Sequence, residues 1–202
     1  MRLIGSSRGD TIIEVLFAFV IFSMIAVGSI TIMNRSLSTA QRSLEITLVR
    51  QQMDAQTEVL RFINQSYINN YQSGVTSESE WSKITAATQI VDEASDFGES
   101  SSSCSVNLPE NSFIMNAKKA KLSGVAPISM NAVGMPPPYS QVMYNDSNDV
   151  SESYGIWIEA VKTNTPNKSA YVDFHIRTCW NSPGSDMPTK LGTIVRLYEP
   201  TE

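Results

Sequence analysis

The chain has no proline before Pro109 and no glycine between Gly28 and Gly74. With neither breaker present, the first third of the sequence is free to form one very long helix. Histidine occurs once, as His175, beside Phe174 and Ile176 in an alternating pattern. A lone histidine without a partner nucleophile leaves no arrangement for catalysis, so the sequence does not read as an enzyme and implies no cofactor. Positive charge is also short: the formal net charge is -5 and the pI about 5.0. That balance gives no general attraction for nucleic acid. The 202 residues allow one globular domain plus one further element, and too little for two full domains.

What is present begins with the apolar run from Ile12 to Met33. Some 22 residues at about 1.5 Å each give about 33 Å, enough to cross a hydrocarbon core of about 30 Å. A secretory signal peptide would have a shorter core closed by a small-residue cleavage site, whereas here Asn34, Arg35 and Ser36 follow the run. Arg2 and Arg8 precede it and predict a cytoplasmic N-terminus with an exported body, a bias that Arg35 and Arg42 reduce. Cys104 and Cys179 then fall in the exported part. An oxidising compartment favours a disulfide between them, the alternative being two unrelated buried thiols.

Beyond the apolar run, Ile46, Val49, Met53, Leu60, Ile63 and Tyr67 recur at helical spacing, preceded by Leu37, Ala40 and Leu44. Arg42, Glu45, Arg50, Gln51, Asp54 and Glu58 are assigned to the water-facing side. The helix is expected to end between Ser66 and Gly74. A second helix is predicted from Glu78 to about Ala94, with Ser77 and Glu80 as a capping box and Trp81, Ile84, Thr88 and Val91 on one face. The Ser-rich stretch around Cys104 reads as a loop. "SFIMN" and "QVMY" read as short strands, and Pro136 to Pro138 exclude a central strand between them. "YGIWIEAVKT", "SAYVDFHIRTCW" and "LGTIVRLYE" predict three consecutive strands in an antiparallel meander, covered by the amphipathic part of the long helix.

Arg8-Gly9-Asp10-Thr11-Ile12-Ile13-Glu14-Val15-Leu16, followed by the apolar helix, resembles the N-terminus of type IV pilins and type II secretion pseudopilins. The resemblance is specific over residues 5–33 and general in architecture after that. It implies an α+β, pilin-like lollipop, with a long N-terminal helix packed on a C-terminal antiparallel β-sheet. The parts would be a leader at 1–9, a transmembrane half of the helix at 10–33, an amphipathic half at 34–73 and an extracytoplasmic globular domain at 74–202. It also implies that a prepilin peptidase cuts between Gly9 and Asp10 and methylates the new amine of Asp10. The partners would be other pilin subunits in a helical filament, an inner-membrane assembly platform, and the lipid bilayer before assembly. The subunit would be a single-pass protein of the cytoplasmic membrane that ends at the cell surface. Length and the "TIIEVL" start favour a minor pilin, with a minor pseudopilin of a type II secretion system as the alternative. A disulfide bounding the C-terminal region is common in the family.

Glu14 is the residue for which physics and resemblance meet. An ionised carboxylate at membrane depth costs about 3 kcal/mol unless paired. In a filament, Glu14 of one subunit would pair with the α-amine that cleavage creates on a neighbour, fixing the axial stagger. The bland alternative is that Glu14, two residues into the run, reaches the headgroups. Asp10 departs from the apolar first residue usual in the family and brings a second carboxylate to the new amine.

Other signals carry less. The tripeptide at residues 8–10 matches an adhesion motif that the proposed cut would destroy. Asp146, Asn148, Asp149 and Glu152 have oxygen-ligand spacing, but without the glycine of a calcium loop they read as a solvated acidic turn, and no metal site is expected. Lys118, Lys119 and Lys121 read as a solvated turn or strand edge rather than a DNA contact. Tyr139, Trp157 and Trp180 are contact candidates for a tip subunit, and better candidates for core.

Overall fold

The structure, a computed structural model, describes residues 10–71, 78–86, 90–95, 97, 104, 108–131, 135, 137–163 and 170–199. The leader and Gly9, together with Ser77, lie outside the described residues. The chain divides into two compact units, residues 1–43 and 44–202. One helix, α1 (Asp10–Tyr71), contributes to both.

In the first unit every described side chain from 12 to 43 is exposed except the half-buried Ala26. The segment is long and apolar enough to cross a membrane. Its hydroxyls are satisfied within the helix. Ser23, Ser29 and Thr31 donate to the carbonyls of Phe19, Ile25 and Val27 at 2.8, 2.8 and 2.9 Å. Such back-bonding leaves no polar hydrogen to be solvated, which is the condition a lipid-facing helix must meet.

The second unit is α+β. Its elements after α1 are α2 (Glu78–Ile84), β1 (Ile90–Val91), β2 (Met115–Asn116), β3 (Lys121–Leu122), β4 (Gln141–Tyr144), β5 (Val150–Tyr154), β6 (Ile156–Thr163), β7 (Tyr171–Trp180) and β8 (Thr189–Tyr198). The main sheet has the order β1-β6-β7-β8, in which β6, β7 and β8 form the antiparallel meander and β1 runs parallel to β6. Two antiparallel pairs, β2-β3 and β4-β5, accompany it.

Alternation along β7 defines the faces of the sheet. Val172, Phe174, Ile176, Thr178 and Trp180 are buried on one face, in register with Ile158 and Ala160 of β6 and with Val195 and Leu197 of β8. Val49, Met53, Leu60 and Ile63 of α1 cover that face, joined by Trp81 and Ile84 of α2. Trp81 stacks on Tyr67 at 5.7 Å between centroids and meets Phe174 edge-on at 6.0 Å. The helical stripe from Ile46 to Tyr67 is therefore the core stripe, whereas Leu37, Ala40 and Leu44 before it are exposed.

Three expectations are corrected. Glu45, assigned to water, is buried and accepts hydrogen bonds from Trp180 Nε1 at 3.0 Å and Ser182 Oγ at 2.5 Å. It stands one helical turn before Val49, on the stripe itself. The second helix stops at Ile84 instead of running to Ala94, because the β-branched Ile90 and Val91 pair with Ala160 and Val161 at the open edge of β6. Glu80, expected to cap the helix start with Ser77, accepts from Leu122 N at 3.0 Å and so ties α2 to β3. The third concerns "VSESY", taken as part of an acidic loop, which is the strand β5.

Candidate functional site

α1 begins at Asp10, the residue after the expected cut, and Glu14 lies one turn further on, exposed. Ile12, Ile13, Val15 and Leu16 around it are exposed as well. From Val15 to Asn34 the sequence holds no charged residue, so Glu14 is the only ionisable side chain between Asp10 and Arg35. The arrangement is one carboxylate, Glu14, set a turn after Asp10 at the start of an uncharged apolar rod. Such a group can pair with a cation supplied from outside the chain, or remain hydrated at an interface.

The two cysteines are brought together as the disulfide Cys104–Cys179, with Cα atoms 5.6 Å apart and a sequence separation of 75. The bond lies on the second face of the main sheet, buried against Trp157, with Phe97 and Leu108 packed around it. Closing a loop of this length constrains the unfolded chain by about 4 to 5 kcal/mol in the chain-entropy view. Replacing Cys104 by serine is accordingly expected to lower stability by about 4 kcal/mol, read as a fall in the urea midpoint of tryptophan fluorescence. An unchanged midpoint would show that the crosslink does not constrain the unfolded chain.

The lysine turn and the acidic turn meet. Lys119 Nζ lies 2.7 Å and Lys121 Nζ 3.7 Å from Asp149 Oδ1, and Lys118 Nζ donates to Asn148 Oδ1 at 2.9 Å. Asn148 takes the left-handed conformation, φ 58°, that asparagine tolerates, and Asn145 Oδ1 accepts from the amides of Ser147 and Asp149. Asp149 thus pairs with lysine ammonium groups, while Glu152 accepts from the Tyr154 hydroxyl. The four oxygen-bearing residues do not converge, and among the described residues no three His, Cys, Asp or Glu side chains group as a metal site.

The shifted groups that titrate below neutral pH share one sign. Lys119 holds the Asp149 carboxyl below its ordinary 3.8. Burial opposes ionisation of Glu80, yet Lys83 and the Leu122 amide outweigh it and pull that carboxyl below 4.5. Burial, then Arg177, pushes His175 below 6.5, against the opposing pull of Glu159 and Asp173. In each case the unfolded chain binds protons more readily, so the stabilisation is complete above the unfolded value and is lost as the pH falls through the folded one. Stability is expected to decline from about pH 6 downward, with a steeper fall below about pH 4 that Asp149→Asn makes shallower. Tryptophan fluorescence melts across that range measure it; a flat profile would contradict these assignments.

Trp157 and Trp180 are core residues on opposite faces of the sheet, and Tyr139 is half-buried against the core. Pattern reading does not single out the other buried polar side chains, among them Gln56, Glu159 and Arg177. Gln56 fills the gap between Met53 and Leu60 and clamps Met115, accepting from its amide at 2.8 Å and donating to its carbonyl at 3.0 Å. Glu159 pairs with Arg177 on the second face. The spacing of seven between Met53 and Leu60 was the available signal for Gln56, since an unbroken helical face requires a residue there.

Compared with known protein families, characterised proteins and solved structures, the chain matches none.

Proposed function

We propose that this chain is a minor type IV pilin, a subunit cut after Gly9 and held in the cytoplasmic membrane by the helix that begins at Asp10. It then joins other pilin subunits in an envelope filament for motility, adhesion or DNA uptake. The observation that carries the reading is the order Gly9, Asp10, Glu14 at the head of a rod with no further charge before Arg35. The exposed apolar surface of residues 12–33 has to be covered, by lipid before assembly and by neighbouring subunits afterwards. Glu14 supplies the polar step in that exchange: the α-amine of a cut neighbour compensates its charge only in the correct axial register. The disulfide-linked sheet unit would remain outside the membrane, in an oxidising compartment.

Shearing the surface of cells that carry the processed chain tests the proposal. The chain is expected in the sheared filament fraction together with other pilins. Confinement to the membrane fraction of filament-bearing cells would overturn the surface-filament reading, and the secretion pseudopilin would then take its place.

A further inference from the structure

We propose that the outer edge of β8 docks an extended segment of another protein, which adds an antiparallel strand with apolar residues opposite Gly192 and Ile194 and a carboxylate opposite Lys190. Two hydrogen bonds fix which backbone groups of β8 point outward. Glu199 N donates to the Ala170 carbonyl at 2.9 Å, so the backbone of Glu199 faces β7. Cys179 N donates to the Gly155 carbonyl at 2.8 Å, so Cys179 faces β6 and its neighbour across the pair, Lys190, faces away. Alternation then turns the N–H and C=O groups of Lys190, Gly192, Ile194, Arg196 and Tyr198 to the outside. Asn64 Nδ2 donates to the Tyr198 carbonyl at 3.1 Å and closes that end. Gly192, Ile194 and Arg196 are exposed, and among the described residues no strand pairs with this edge.

The fold treats the two edges of its main sheet differently. Beyond β6, β1 pairs with Ala160 and Val161, and Phe113 exchanges backbone bonds with Ile158 at 3.0 and 2.8 Å. β8 instead runs in unbroken register with β7, without the bulge or proline that commonly blunts an edge. Arg196 does not shield it either. Its guanidinium is held by Asp173 of β7 at 2.8 and 2.7 Å and lies 4.0 Å from the centre of the Tyr171 ring, leaning away from the edge.

The side chains beside this edge define the partner. Ile194 is exposed, and a Cβ added at Gly192 would stand 3.3 Å from the Phe97 ring, so a neighbouring strand meets apolar surface at both positions. β8 carries Lys190 and Arg196 and no acid; β7 sets Asp173 against Arg196 but Cys179 against Lys190, so charge complementarity places the partner's carboxylate at the Lys190 end. A second copy of β8 fits poorly. A two-fold centred on Gly192 sets Arg196 against Pro188, which has no N–H to give. One centred on Thr193 sets Lys190 against Arg196, and one centred on Ile194 needs the Tyr198 carbonyl that Asn64 already occupies.

The probe is the acetylated peptide amide Thr-Thr-Thr-Val-Thr-Val-Thr-Glu-Thr, whose valines fall opposite Ile194 and Gly192 and whose glutamate falls opposite Lys190. It is added to the full chain in detergent micelles, and amide exchange is followed residue by residue by NMR. Saturating peptide is expected to slow exchange at Gly192, Ile194 and Arg196 about tenfold, because their N–H groups gain acceptors. Lysine in place of the peptide's glutamate should weaken binding about fivefold. Ile194→Pro removes one outward N–H, leaves the bonds to β7 in place and should abolish binding. If that variant fails to fold, Ile194→Lys, a change on an exposed side chain, should weaken binding about tenfold. Unchanged exchange at millimolar peptide, or wild-type binding by the folded Ile194 variants, would overturn the proposal. So would slowing that appears without peptide as the chain is concentrated, since the edge would then belong to a second copy.

Discussion

Gly155→Ala is expected to destabilise the sheet unit by about 2 to 5 kcal/mol, read as a large fall in its urea midpoint. Gly155 joins β5 to β6 at φ 61°, where the chain leaves the small hairpin and enters the main sheet. A Cβ there would stand 2.4 Å from the Cys179 carbonyl oxygen, 2.5 Å from Met130 Cγ and 2.8 Å from Ser140 Oγ. The methionine can swing away, but the carbonyl belongs to β7 and the hydroxyl is fixed by bonds to the carbonyls of Gly155 and Cys179 at 2.9 and 3.1 Å. Left-handed strain of about 1 to 2 kcal/mol and overpacking of about 1 to 3 kcal/mol then act at one point. Their sum is a large share of the 5 to 15 kcal/mol typical of a whole domain. The three tryptophans, Trp81, Trp157 and Trp180, are all buried in this unit, so their fluorescence reports it without interference from the apolar helix. The matched control is Gly124→Ala, where an added Cβ meets nothing within 4 Å and the change should stay within about 0.5 kcal/mol. Equal urea midpoints for the two variants would sink the account of Gly155.

The second large effect concerns assembly and leaves folding untouched. Glu14→Leu should insert and be cut as the wild type is, yet enter filaments on the order of a hundredfold less, because the neighbour's α-amine is left uncompensated in apolar surroundings. Glu14 is exposed and belongs to the first unit, while the tryptophans belong to the second, so the tryptophan melt of the variant should match the wild type. Quantitative immunoblotting of sheared filaments against the membrane pool measures the ratio. Wild-type incorporation of Glu14→Leu would leave the carboxylate as an interfacial group without an assembly role. Asp10→Asn offers a companion reading: if the Asp10 carboxylate competes for the same amine, its removal should raise incorporation above the wild type.

The parts of this structure visible in the sequence are those with a period. The apolar run, the stripe from Val49 to Ile63 and the three alternating strands each repeat a rule often enough to be read, and the meander follows from their short connections. Glu45 and Gln56 were hidden because their worth depends on partners far away in sequence: Trp180 is 135 residues from Glu45, and Met115 is 59 from Gln56. β5 was hidden because "VSESY" buries Val150, Ser153 and Tyr154 with no clean alternation, its place being fixed by pairing with β4 across a bulge. The cluster of Glu159, Arg177 and Ser95 had no local signal, since it joins residues 82 apart on one face of a sheet whose register must first be known. The N-terminal elements differ in kind: Gly9, Asp10 and Glu14 are legible as a pattern in sequence, and the chemistry proposed for them would need an enzyme and neighbours outside the chain.

Mass spectrometry of the N-terminus, made on the chain purified from filaments, tests the central claim most directly. The account predicts that the first residue is Asp10, with its amine methylated, and that residues 1–9 are gone. An intact Met1, or a first residue beyond Met33, would contradict it, because the helix would then carry either no new amine for Glu14 to meet or no membrane rod at all.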